Sequence, residues 1–213
     1  MSAFTLETAL YSLPGIILGL TVHECMHGWT ADRCGDPTAR NDGRITFNPL
    51  KHIDPIGFLF LIVAGFGWAK PVMFNRESLR NPRRDEALIA AAGPLSNLVL
   101  AFLSVILLKL MLMAAPAHPG MVFHFGAGIV LYSAHINAGL FIFNMIPLPP
   151  LDGYHIVFQA LKVPAETEMK LVRFGGIALF ILIIIDSQSK LNIFPIAPAV
   201  QFIVKGMMSI AGI

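Results

Sequence analysis

Apolar and polar residues segregate into blocks along this chain instead of alternating. Five apolar runs, roughly 8–31, 86–114, 123–147, 170–186 and 192–211, are long enough to cross a bilayer, which takes about 20 residues as an α-helix. A sixth run, 53–68 (IDPIGFLFLIVAGFGW), is shorter and rich in glycine. As a helix it would reach ~24 Å, marginal for a hydrocarbon core of about 30 Å. Between the first and the sixth run, residues 32–52 carry turn signals at Gly35-Asp36-Pro37 and Asn41-Asp42-Gly43. The short pieces around them suit strands, and Trp68–Phe74 suits an extended segment. The pattern predicts an all-α polytopic membrane protein with about five transmembrane helices. It adds a re-entrant or interfacial segment at 53–68 and a small membrane-associated β element. No internal repeat or low-complexity linker divides it. The expectation is one domain over 1–213, with a core at about 8–160 and C-terminal helices at 170–211.

Composition sharpens this picture. Of 213 residues, 55% are hydrophobic and 13% charged, against about 25% charged in soluble domains. Disordered chains, coiled coils, nucleic-acid binders and ordinary soluble enzymes are excluded. The net charge of +2 is too small to argue for a polyanion partner. Cys25 and Cys34 make no disulfide framework. The N-terminal run is not expected to be a signal peptide, because it lacks a basic start and leads into polar residues. Arg33, Arg40, Arg44 and Lys51 precede the 53–68 run, and Lys70, Arg76, Arg80, Arg83 and Arg84 follow it. Basic loops favour the cytoplasm, so both flanks read as cytoplasmic and 53–68 does not cross. The loop 115–122 has no Lys or Arg and reads as external. The N-terminus is then outside and the C-terminus inside.

Against so few charges, two constellations stand out. The first is His23-Glu24-Cys25-Met26-His27. On a helix, His23 and His27 lie one turn apart on one face and can share a metal, while Glu24 beside them suits a general base acting on water. An acid and two imidazoles inside hydrocarbon are costly unless paired or functional. The other reading is two packing histidines with a helix-end glutamate. The second constellation is Asn144-Met-Ile-Pro147-Leu-Pro149-Pro150-Leu-Asp152-Gly153. Its prolines break the fourth run, and broken backbone at membrane depth is tolerated only inside protein or beside water. Asp152 is the candidate third ligand for a two-histidine zinc site with an open position. An Asp-Gly pair also suits an ordinary turn.

Together these motifs resemble the site-2 protease family of intramembrane zinc metalloproteases. Ala92-Gly93-Pro94-Leu95-Ser96-Asn97 resembles that family's small-residue-Gly-Pro motif on the intervening helix. The resemblance covers roughly residues 8–160. It implies one zinc ion per chain held by His23, His27 and Asp152, with Glu24 activating water. The implied reaction is hydrolysis of peptide bonds in or near the transmembrane helices of membrane protein substrates, as in regulated intramembrane proteolysis. The chain is similar to a compact prokaryotic type without a PDZ domain. That implies a multi-pass protein of a prokaryotic plasma membrane, with its active site nearer the cytoplasmic face.

Other residues follow from the chemistry. A tetrahedral intermediate needs an oxyanion donor besides the metal. Asn144 and Asn97 are the nearby intramembrane amides, suited to the oxyanion, to the substrate backbone or simply to tying helices together. A helical substrate hides its carbonyls and must be extended before attack. A strand edge at Lys70, Val72 and Phe74 would hold it by β-augmentation; the alternative is an interfacial loop. Cys25 points away from the histidine face and reads as packing. His52 reads as structural, His155 as a neighbour of the site or a surface residue, and Lys109 as a lysine that snorkels. Two rival functions remain at this point, a non-proteolytic membrane binding protein and a metal-ion transporter using the same His/His/Asp site. The base beside the metal speaks against the first. The scarcity of ionisable groups in the outer half of the helices speaks against the second. Lipid is an expected partner, nucleic acid is not, and the oligomeric state is open.

Overall fold

In the computed structural model the chain is described over residues 6–64, 67–189 and 193–213. Three helices among these residues are long and apolar enough to cross a membrane: α1 (Leu6–Cys34), α4 (Pro82–Met113) and α5 (Met121–Asn144). Between the first two lie α2 (Thr38–Asn41) and α3 (Pro55–Ala64), and after the third come α6 (Asp152–Ala160), α7 (Ala165–Ser189) and α8 (Ile196–Ala211). Of the about five spanning helices expected, the described residues thus show three. The run at 170–186 lies within α7, and the run at 192–211 shortens to the 16-residue α8, with residue 192 outside the described residues.

α1, α4 and α5 pack on one another, and α8 lies in the groove between α4 and α5. Small residues let the spanning helices approach closely, since apolar burial gives little drive within lipid. A Cβ added at Gly15 of α1 would stand 2.8 Å from the Ser133 Cα of α5. Ala101 and Val105 of α4, Ala134 and Ala138 of α5, and Val200 and Val204 of α8 form one buried cluster. The opposite face of α4 shows Leu95, Val99, Leu103, Leu107 and Leu110 exposed at helical spacing. Such a stripe is what a lipid-facing helix carries. Lys109 does not end in lipid: its ammonium hydrogen-bonds the Ala211 carbonyl in the last turn of α8, where the helix dipole favours a cation.

The described helical part of the 53–68 run is short for a crossing. This part, α3, has 10 residues, or ~15 Å, and residues 65–66 lie outside the described ones. Ile53 and Ala69 form an antiparallel bridge, so the two ends of the run meet at one level. The expected β element, in contrast, does not form. Among the described residues that bridge stands alone and no strand ladder exists. Short polar side chains capture the backbone donors that a ladder would use. Asp36 accepts from the backbone N–H groups of Thr38 and Asn75, Thr46 from that of Asn48, and Asn48 from that of Leu50. Residues 70–74 have no regular secondary structure and pair with no strand among the described residues.

The approach of α1 to α5 makes one prediction. Gly15→Leu meets backbone that cannot rotate away, so it forces the helices apart. Overpacking of this kind costs about 1–3 kcal/mol, and thermal unfolding in detergent should show a lowered Tm.

Candidate metal centre

The histidines of α1 turn inward onto α4. His23 Nδ1 stands 2.7 Å from the Asn97 side-chain oxygen, and His27 Nδ1 stands 2.7 Å from the Ile89 carbonyl oxygen. Asn97 presents its oxygen to His23 because its nitrogen donates to the Gly19 carbonyl at 3.1 Å and to the Asn137 side-chain oxygen at 3.0 Å. Carbonyl oxygens only accept, so both imidazoles carry their proton on Nδ1 and keep a lone pair on Nε2. Those two Nε2 atoms face each other at 3.0 Å.

Asp152, in the first turn of α6, closes the triangle. Its Oδ2 lies 3.2 Å from His23 Nε2 and its Oδ1 lies 3.4 Å from His27 Nε2. Its Oδ2 is buried and receives no hydrogen bond. Three lone-pair atoms therefore converge with no proton assigned among them, an arrangement that calls for a cation. Zinc fits. With metal–ligand bonds of about 2.0–2.1 Å, tetrahedral ligand atoms stand about 3.3 Å from one another, and the three separations here are 3.0, 3.2 and 3.4 Å. Gly93 makes room for the pair. A Cβ there would collide with His27 Nε2 and stand 2.8 Å from His23 Cε1.

Glu24 neighbours the triangle. Its Oε2 accepts the Val72 N–H at 2.8 Å. Its carboxylate, with His23, His27 and Asp152, lines a cavity of about 480 Å³ that Asn144, Val72 and Phe74 also line. Asn144 donates to the Leu140 carbonyl at 3.0 Å, which leaves its oxygen and a second N–H for other partners. Asn97 is fully buried and does not line the cavity. Lys70 lies just outside it, its carbonyl accepting from Arg44 at 2.5 Å and its N–H donating to the His52 carbonyl at 2.8 Å. His52 is buried against the Thr46 carbonyl, and Cys25 is buried as packing.

Two groups near the site were not singled out by motif. Asn137 of α5 extends the amide chain behind His23, and its nitrogen donates to the Ser133 carbonyl at 2.9 Å. An amide in an apolar run is a signal in itself, but nothing in its spacing ties it to the histidines. The second is an ionic clamp on α6. Glu86 Oε1 lies 2.7 Å from His155 Nδ1, and Arg76 Nε lies 3.2 Å from Glu86 Oε2. Arg76 also reaches the Gln159 side-chain oxygen at 3.3 Å and Glu168 at 3.9 Å. It thereby joins the loop before α4 to α6 and α7. Burial, with Glu168, Glu86 and Asp152 nearby, pushes the Tyr154 phenol up to about 12.

The sequence agrees with this geometry. The family model for peptidase family M50 matches residues 11–130 and 117–183. The chain belongs to peptidase family M50, the site-2 protease family. Its M50 relatives include YwhC of Bacillus subtilis (strain 168), a zinc metalloprotease by name, 36% identical over 92% of this chain and 90% of its own length. Rip2 of Mycolicibacterium smegmatis (strain ATCC 700084 / mc(2)155), another zinc metalloprotease by name, is 28% identical over 81% of this chain. Here the chain spans 66% of the relative's length. A third such protein, MJ0611 of Methanocaldococcus jannaschii, is 30% identical over 72% of each chain. No solved structure gives a significant match. Membership of M50 and these relatives make zinc the metal and a peptidase the class of enzyme, and His23, His27 and Asp152 are the candidate group to hold the ion.

The amide chain behind His23 makes a prediction. Partners that orient a metal-binding histidine are worth about 10–100-fold in metal affinity. Asn97→Ala should weaken zinc binding by about that factor in a chelator competition titration, while zinc-saturated protein keeps its helical circular dichroism.

Proposed function

We propose that the protein is a zinc-dependent intramembrane endopeptidase, hydrolysing peptide bonds in or near transmembrane helices of membrane protein substrates in regulated intramembrane proteolysis. One observation carries this reading. His23, His27, Asp152 and Glu24 meet in a single cavity within a bundle whose three long helices are apolar enough to cross a bilayer. The basic loops 33–51 and 70–84 fold over the same end of α1 as the metal group, which supports an active site nearer the cytoplasmic face of a prokaryotic plasma membrane.

His23, His27 and Asp152 would hold the zinc, which when bound would supply a Lewis acid for the scissile carbonyl and lower the pKa of water towards neutrality. Glu24 removes the proton of the attacking water and returns it to the leaving amine. Asn144, on the cavity wall with a free amide N–H, stabilises the developing oxyanion or holds a neighbouring substrate carbonyl. Asn97 acts through His23, since its own amide is spent on three helices, and is a positioning residue.

A helical substrate must unwind to reach these groups. Residues 70–74 form a rail for the extended stretch. Lys70 is anchored by Arg44 and His52 at one end, and Asn75 by Asp36 at the other. Among the described residues the backbone of Met73 has no hydrogen-bond partner and is free to pair with an added strand. The Val72–Glu24 bond ties the rail to the base, so a strand laid there runs past the proton acceptor.

The expected outcomes are specific. The purified protein should hold one zinc per chain, lost in His23→Ala and in His27→Ala by metal analysis. Glu24→Gln should keep zinc and lower the cleavage rate of a single-span substrate by at least about 100-fold; cleavage at the wild-type rate would remove Glu24 from the role of base.

A further inference from the structure

A second cavity adjoins the metal cavity and takes no part in the chemistry above. It has a volume of about 360 Å³ and lies among α1, α3, α5, the start of α8 and residues 67–69. That size falls within the range of about 300–1,000 Å³ seen for ligand pockets. Every residue lining it is apolar or glycine. Six residues line both cavities, Leu20, Gly67, Trp68, Ala69, Leu140 and Phe143. The two spaces therefore lie side by side and share a wall. Leu20 is the hinge between them, one helical turn before His23 and Glu24 and on their side of α1.

The chamber is built, not left over. Its floor is α3, whose N-terminus is capped by Asp54 accepting the Gly57 N–H at 2.7 Å. Gly57 packs directly on the backbone of Trp68, where a Cβ would collide with the Trp68 carbonyl oxygen. The Ile53–Ala69 bridge pins the two ends of the segment together. The wall formed by residues 67–69 runs straight into the rail at 70–74. A strand added to that rail sends successive side chains to opposite faces. Alternate side chains then meet alternate pockets, which is how strand addition acquires specificity.

We propose that this chamber is a subsite for one large aliphatic or aromatic side chain of the substrate, carried by a residue flanking the scissile bond. The proposal rests on the proteolytic reading above and adds the class of residue that the site selects. The wall shared with the metal cavity at Leu20, Leu140 and Phe143 argues for a substrate side chain over a lipid tail, because it places the chamber directly beside the catalytic space. Apolar pockets discriminate by size. Each methylene that finds room there is worth about 10–200-fold in kcat/KM.

The test is a set of four single-span substrates with Ala, Val, Leu or Phe at one flanking position, cut by zinc-loaded protein in detergent. Both flanking positions are scanned. At one of them the wild type should cut the Leu or Phe substrate at least about tenfold more efficiently than the Ala substrate. Gly139 lines the chamber, and a Cβ there meets only Val200 Cγ2, at 3.8 Å. Gly139→Leu should fill the space and reduce the Leu-to-Ala ratio of kcat/KM by at least about tenfold. Phe58 also lines it, and Phe58→Ala should shift the optimum to the larger side chain. Zinc content reports whether each variant has folded, and the two substitutions act in opposite directions, so loss of one leaves the other decisive. Cleavage with the same side-chain preference in wild type and variants overturns the subsite alone. A phospholipid retained by wild type and lost from Gly139→Leu, with no change in preference, overturns it in favour of a lipid site. Zinc-loaded wild type that cuts none of the substrates overturns the proteolytic reading, and the subsite with it.

Discussion

The two Nδ1 hydrogen bonds from α1 to α4 are the constraint on which the rest of the centre depends. Donation from His23 to Asn97, and from His27 to the Ile89 carbonyl, sets the tautomer of both rings. It also sets their rotation, so that two lone pairs point at one spot. The same bonds join two membrane-length helices without any apolar driving force between them. Gly93 then becomes a requirement, because any larger residue would occupy the space where the rings stand. Pro94 beside it cannot donate to the Ala90 carbonyl. The Gly-Pro motif is thus a shaped seat for the histidine pair.

The third candidate ligand comes from a different part of the chain and needs a different support. Asp152 sits at the first turn of a nine-residue helix after a proline-broken segment, a placement with little rigidity of its own. Its helix is held to α4 by Glu86 and His155 and to the loop before α4 by Arg76. A buried carboxylate of this kind is costly if one partner is lost, so the clamp is a set of mutual obligations. It lies on the wall of the same cavity that the metal group occupies. Support of the metal site and the shape of the cavity are therefore carried by the same side chains.

Residues 70–74 show how a loop acquires order without a sheet. No sheet forms there, yet its ends are fixed by Arg44, His52 and Asp36, and its middle by Glu24. Side-chain acceptors do the work that neighbouring strands would do in a sheet. The consequence is an ordered loop with unused backbone hydrogen-bonding groups beside the candidate metal centre. Such an arrangement suits a partner that supplies the missing strand.

Much of this was legible in the sequence. The spacing of His23 and His27 has one outcome on a helix, because it follows from local geometry. The basic residues on both sides of 53–68 likewise argued for a re-entrant or interfacial run, and the Ile53–Ala69 bridge brings its two ends together. The number of membrane-length helices and the absence of a β ladder were not legible. Helix ends and strand pairing depend on which distant donors and acceptors compete for the backbone, and the pattern of apolar residues does not record that. Asn97 and Asn144 were equivalent as amides in sequence; only packing spends one behind His23 and leaves the other on the cavity wall. Asn137, Glu86 and Arg76 gave no motif, since their roles arise from contacts across tens of residues. Sequence alone determined the chemistry available, a histidine pair, a base and a candidate acid in an apolar chain. Tertiary structure decided their convergence, because lone pairs and cavities are defined by distances between helices that no local pattern sets.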